Sequence, residues 1–378
     1  MLFTFVTDPL TSIYGAVKPA VIVGKELNKM GHEVSFVSTQ ISEKAKEELS
    51  WANVTLIKRK TKVGNSLFSS IPILREKVGN SLFSSIPILR DWMKAMILPS
   101  EIEVEGDVVV NSSSSVLVNS TVYYGQGQIT KALDDIVKAK DFPWRYRIVY
   151  NSFGPIFRRL EMKHVNKLRG MTSFFIANSN YSRKLYESWS IKVDDVIYPP
   201  VDDTLFRPTT NPEGDYVVTY VGVEGKETDL EVLRRLSDAG VKVKAFGRMK
   251  VEKQIGKNVE FLGFVDEKKL VDLYSNALFT LVVFNHEPFG YVPIESMACG
   301  TPVLSYNKQG PSESVCEKCG WLVASRDEMI KKAIEIWKKG YDPKMRINAM
   351  MKSKRYSKDS IVKQWLCLIK EEKVEKER

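Results

Sequence analysis

Two stretches of this chain begin in the same way, and this repetition restricts the fold more than any other feature. Leu2 to Val6 reads as a strand, a turn with Gly15 follows, Val17 to Met30 has helical periodicity, Gly31 stops it, and Glu33 to Ser38 is again strand-like. The pattern returns in the second half. Tyr216 to Val221 reads as a strand, Gly222 and Gly225 form a turn, Leu230 to Ala239 is helical, Gly240 ends it, and Val241 to Phe246 is a strand. Each is the start of a βαβ unit, whose apolar strands need helices on both faces. Two such starts predict an α/β chain of two doubly wound, Rossmann-like domains facing each other across a cleft. A length of 378 residues is too great for one ordinary core. The join is expected in YPPVDDTLFRP, residues 198–208, where three prolines and paired aspartates break the periodicity. This division gives an N-terminal domain over 1–200, a C-terminal domain over 201–355 and a helical tail over 356–378.

The net charge of +10 admits nucleic acid, an anionic membrane surface or a phosphorylated substrate as partner. No Lys/Arg block with interleaved aromatics occurs, so nucleic acid is the weakest of the three. No apolar run approaches the ~18 residues needed to span a bilayer. The chain opens on LFTFV, without the charged start and cleavage site of a secretory signal, and residence in the cytoplasm is expected. Cys299, Cys316, Cys319 and Cys367 are too few for a disulfide scaffold. Cys316 and Cys319 form a CxxC without a second CxxC or His pair, so a thiol pair in a loop is favoured over a metal site.

Chemistry concentrates in His286 to Val303, HEPFGYVPIESMACGTPV. Leu278 to Phe284 reads as a buried strand, and the segment after Tyr291 as a short helix with Pro293 in its first turn, closing at Gly300. Glu287 then sits just beyond a strand's carboxyl end, where open α/β sheets bind ligands. Amides of about residues 290 to 292 would face the same crevice and suit an anion. Glu295, eight residues after Glu287, comes about one helical turn further on. Carboxylate acceptors beside amide donors suit a ligand with hydroxyls and phosphate, as in a nucleotide sugar.

The string EPFGYVPIESMACGTPV resembles the Glu, seven residues, Glu motif of retaining glycosyltransferase family 4 (glycosyl transferases group 1), whose members have the GT-B fold. The resemblance implies that Glu287 faces the donor sugar and Glu295 binds the ribose hydroxyls. It also implies that the backbone of Phe289, Gly290 and Tyr291 contacts sugar hydroxyls and the diphosphate. Either glutamate alone reads better as a solvated surface residue, but the pair inside this string does not.

Further segments follow the family. FFIANSNYSRKLY, residues 174–186, resembles the passage into the interdomain linker. The last helix, about Ser357 to Lys373, would cross back onto the first domain through Trp365 and Leu368. Gly15 falls at the glycine-rich loop near the donor diphosphate, although a tight turn alone also explains it. Lys226, in YVGVEGKETDL, falls at the phosphate-binding lysine and would stabilise the leaving diphosphate. The family's arginine a few residues earlier is replaced by Val223, with Arg248 a candidate substitute. Both cations also read as surface. NVEFLGFVDEKKLVDLYSNA, residues 258–277, matches the segment whose backbone borders the nucleotide base near Gly263 to Val265. QGPSESV, with Gly310 and Glu313, also follows the family and starts a helix. Where many relatives have a histidine near the reacting sugar, TVYYGQGQ offers Gln126 and Gln128. Glutamine can hydrogen-bond a sugar hydroxyl but cannot act as a base. In the retaining mechanism suggested for the family, the leaving phosphate can itself accept the acceptor's proton.

Lys62 to Glu76, KVGNSLFSSIPILRE, is repeated at Lys77 to Asp91 with only the final residue changed. Pro72 and Pro87 exclude one continuous helix, and two copies make no solenoid. The apolar and basic content of this region allows a surface resting on a membrane and meeting a lipid-linked acceptor. A loop and helix packed on the first domain is the plainer reading. Taken together, the expectation is a metal-independent, retaining transferase that moves a hexose, with mannose or glucose favoured, from a nucleotide-diphosphate sugar to a hydroxyl acceptor. A GT-B epimerase or phosphorylase and a noncatalytic nucleotide- or partner-binding subunit are the alternatives. Oligomeric state is not legible.

Overall fold

The computed structural model describes residues 1–13, 15–57, 95–96, 101–138, 144–209, 214–222, 229–247 and 255–377. The tandem repeat, Val223, Gly225, Lys226 and Arg248 lie outside the described residues.

The first strand, β1 (Leu2–Thr7), is buried along nearly its whole length and leads through a short 3-10 turn into α1 (Lys18–Lys29). Pro19 occupies the start of that helix, where its missing N–H costs nothing. β2 (Glu33–Ser38) returns parallel to β1, in register from Leu2 opposite Glu33 to Thr7 opposite Ser38. After α2 (Glu43–Glu48), the strands β3 (Asn53–Leu56), β4 (Val108–Asn111), β5 (Ser120–Gly125), β6 (Thr172–Ala177) and β7 (Asp195–Val196) complete a parallel sheet in the order β3-β2-β1-β4-β5-β6-β7. Between β5 and β6 the chain forms α3 (Ile129–Lys138) and the long α4 (Trp144–Gly170); α5 (Asn180–Glu187) follows β6.

The second sheet repeats the plan. β8 (Val217–Val221), β9 (Val243–Gly247), β10 (Val259–Gly263), β11 (Phe279–Val282), β12 (Val303–Tyr306) and β13 (Gly320–Val323) are parallel in the order β10-β9-β8-β11-β12-β13. The helices are α6 (Leu230–Asp238), α7 (Glu267–Asn276), α8 (Tyr291–Ala298), α9 (Pro311–Ser314), α10 (Arg326–Lys339) and α11 (Lys344–Ser353). Both sheets reverse strand order between their first and fourth strands, which opens a crevice at their carboxyl ends. This is the doubly wound pair of a GT-B architecture.

One apolar cluster runs from Phe3, Phe5 and Phe36 of the first lobe to Phe284, Ile294 and Met297 of the second, and a further layer, with Val232, Leu236 and Phe279, belongs to the second alone. The final helix, α12 (Lys358–Glu377), returns to the first lobe and packs on α1. Its Trp365 is buried, with its ring centroid 5.3 Å from that of Tyr124 on β5. The two passages between lobes run side by side: Val201 N donates to Tyr356 O at 2.7 Å, and Lys358 N to Val201 O at 3.1 Å.

Candidate active site

β11 ends at Val282, and the chain turns through Glu287 before α8 begins. Gly290 precedes that helix with φ +96°, a conformation that favours glycine. A Cβ there would also stand 3.3 Å from both Glu287 Cγ and Pro293 Cδ. Glycine thus lets the Glu287 turn close directly onto the helix start. Among the described residues no side chain caps α8, so its first amides keep the polarity that attracts an anion.

The turn is clasped from behind by the loop after β12. Gly310 N donates to Glu287 O at 3.0 Å, and Glu287 N donates to Gln309 Oε1 at 2.5 Å. Gln309 Nε2 in turn reaches Asn285 O at 3.1 Å and Asp135 Oδ2, on α3 of the other lobe, at 3.2 Å. His286 Nδ1 lies 2.9 Å from the same Asp135 oxygen. Burial would raise the Asp135 carboxyl, but hydrogen bonds from His286 and Lys131 outweigh it and hold the group below its ordinary value. Glu313 makes a further link, accepting from the amides of Asn180 and Tyr181 at the start of α5 and from Tyr198 OH.

Glu295 is 4% exposed and meets a cation from across the cleft. Lys18 Nζ, at the start of α1, stands 2.5 Å from Glu295 Oε1 and 3.3 Å from Glu267 Oε1. It also lies 5.0 Å and 5.1 Å from the ring centroids of Phe206 and Tyr291. Burial pulls the ammonium's pKa down, but the two carboxylates more than reverse this and raise it. Lys18, Glu267 and Asp135 are residues that the sequence reading passes over. A lysine three places after Gly15, ahead of Pro19 at a helix start, is the signal available for the first.

Gly15, Gln126, Glu287, Phe289, Gly290, Tyr291 and Glu295 therefore gather around one cleft. Gly15 has φ +69° and open space where a Cβ would stand. Gln126 Nε2 donates to Ala16 O at 2.8 Å, and a Cβ on the next residue, Gly127, would stand 3.3 Å from Pro288 Cγ. Gln128, by contrast, is buried and donates to Leu185 O, so Gln126 is the glutamine beside the opposite lobe's turn. Gly263, with φ +66°, ends β10, and Val265 packs partly buried against the core just before Glu267. Among the described residues, no group of His, Cys, Asp and Glu is arranged to hold a metal ion.

With this geometry in place, residues 202–354 match the family model for glycosyl transferases group 1. This stretch is a group 1 glycosyltransferase domain. It holds every described second-lobe residue of the cleft. The chain is 31% identical over 134 residues to a probable sucrose-phosphate synthase of Thermosipho melanesiensis, covering 34% of this chain and 31% of that protein. Over 116 residues it is 29% identical to a GDP-mannose-dependent alpha-(1-6)-phosphatidylinositol dimannoside mannosyltransferase of Mycobacterium tuberculosis, covering 29% of this chain and 30% of that protein. The matches thus span about a third of these relatives' own lengths. The whole fold is similar to that of HepE from Anabaena in complex with UDP and glucose, with TM-score 0.67, 16% identity, and coverage of 98% of this chain and 100% of that one. At that identity the group 1 domain and its partner lobe share the fold with HepE, and nothing finer.

Proposed function

We propose that this protein is a retaining hexosyltransferase that moves mannose or glucose from a nucleoside-diphosphate sugar to a hydroxyl acceptor. Residues 1–200 form the acceptor side, residues 201–355 the donor side, and 356–378 the tail that returns to the first. The observation that carries this reading is the uncapped start of α8, with Glu287 at its mouth and Glu295 on its first turns, opposite the Gly15 turn. Glu287 holds the sugar, the amides about Phe289 to Tyr291 hold the diphosphate, Glu295 holds the ribose, and Gly263 to Val265 border the base. Lys226 and Arg248 supply positive charge to the phosphates, with no resident metal. The bond from the sugar's anomeric carbon to the diphosphate oxygen breaks, and a bond to the acceptor oxygen forms on the same face. The acceptor's proton passes to the leaving phosphate, while Gln126 orients a sugar hydroxyl.

The names of the relatives support the donor class. One is GDP-mannose-dependent, and HepE was solved with UDP and glucose. Thermal unfolding with UDP, GDP and ADP tests the reading first, and one of them is expected to raise the midpoint. A screen of nucleotide sugars with mass spectrometry of the products then identifies sugar and acceptor. No shift with any nucleotide, or transfer that survives both Glu287→Ala and Glu295→Ala, would overturn it. A shift without transfer would favour a noncatalytic nucleotide-binding subunit.

A further inference from the structure

α4 has two different faces. Tyr150, Gly154, Glu161, His164, Val165 and Leu168 are buried at the three- and four-residue spacing of a single helical stripe. The outer face should then be polar, yet Ile148, Phe153 and Ile156 are 57%, 46% and 53% exposed. These three large apolar side chains occupy about 12 Å of helix length. The same helix exposes Arg159 and Lys163, while Arg158, Lys167 and Arg169 are paired with Asp134, Glu101 and Asp194 of neighbouring elements, and its single acidic residue, Glu161, is buried. Just beyond Ile156, Pro155, Arg158, Arg159, Met162 and Trp189 line a hollow of about 250 Å³.

We propose that this face of α4 rests on an anionic lipid surface. Ile148, Phe153 and Ile156 enter the boundary between headgroups and acyl chains, and Arg159 and Lys163 meet the phosphates. The observations favour lipid over a protein partner for two reasons. The apolar residues stand on the exposed side of a helix, and the exposed cations beside them, Arg159 and Lys163, complement anionic headgroups. Among the described residues no helix is long and apolar enough to cross a membrane, so the contact is peripheral. It would also place chemistry near lipid, since α4 packs on α3, whose Asp135 reaches the cleft at His286. The proposal is independent of the transferase reading, because its test measures binding alone.

The test is cosedimentation of the full chain with vesicles of phosphatidylcholine, with and without phosphatidylglycerol. The parent is expected to bind the anionic vesicles and to be released by salt. The triple variant Ile148→Ser, Phe153→Ser, Ile156→Ser should bind at least tenfold more weakly at an unchanged unfolding midpoint. Phe153→Ser alone, expected to weaken binding severalfold, serves if the triple variant does not fold. The proposal is overturned by no binding by the parent, equal binding to neutral vesicles, undiminished binding by the variants, or a parent dimer in sedimentation velocity that the variants abolish. Loss of binding only on deletion of residues 77–91 would assign the contact elsewhere and overturn it equally.

Discussion

The ammonium of Lys18 lies 2.5 Å from a carboxylate oxygen of Glu295, although 277 residues separate the two in the chain and both are nearly buried. This pair joins the lobes at the carboxylate proposed to hold the ribose, and on that proposal nucleotide binding would rearrange it. Removing one partner strands the other charge in a poorly solvated place. Lys18→Met is expected to cost about 3 kcal/mol, and Lys18→Met with Glu295→Gln less than the sum of the single changes, in a double-mutant cycle read by urea unfolding. Because the Lys18 pKa is raised, the pair's contribution is complete below the unfolded lysine value and is lost as pH rises through the higher folded one. Neutral pH therefore leaves it intact.

Glu287 and Glu295 should separate in their effects. Glu287→Gln is expected to lower kcat by about 10²- to 10³-fold while keeping the thermal shift with nucleotide, the loss typical of one group that stabilises charge in the transition state. Glu295→Ala should abolish the shift itself.

Gly310 is needed for want of a side chain. A Cβ there would fall 2.2 Å from Phe289 O and 2.4 Å from Phe289 Cα, and backbone cannot give way as a flexible side chain can. Gly310→Ala is expected to cost about 1–3 kcal/mol and to weaken nucleotide binding by displacing the Phe289 turn. Calorimetric titration beside thermal unfolding checks both.

Glu161 predicts a pH dependence far from the cleft. Its buried carboxylate accepts from the amides of Ile129 and Thr130 and from the Thr130 hydroxyl, at the start of α3. Burial raises its pKa from 4.5 to about 7 against those bonds. The folded state therefore binds the proton more tightly. Its contribution is full below the unfolded value of 4.5 and is lost as pH rises to about 7. Unfolding free energy should fall over that window by no more than a few kcal/mol, and Glu161→Gln should flatten the profile.

The parts of this fold that can be read from sequence are those governed by local periodicity. Glu33–Ser38 has the same limits as a strand in the structure as in the pattern, since Gly31 punctuates it. The strand expected over Leu278 to Phe284 is shorter, Phe279–Val282, because ladder pairing ends where the chain turns toward Glu287. The expected tail helix begins at Lys358, within a residue of its predicted start, but runs on to Glu377. In the site, the helix start at Gly290 is local and legible. The partners of Glu295 and His286 are not: Lys18 is 277 residues from the first and Asp135 is 151 from the second. No window along the chain contains such pairs, and only closure of one lobe on the other creates them.

The side-by-side passages at Val201 and Tyr356 have a mechanical consequence. A single linker would let the lobes swing and twist freely. Two strands tied by Val201 N to Tyr356 O and by Lys358 N to Val201 O act as adjacent pins of one hinge, which leaves opening about a single axis as the easy motion. Each opening would then return Glu295 to the same place opposite α1, so alignment at the cleft is inherited from the hinge rather than found anew in every cycle.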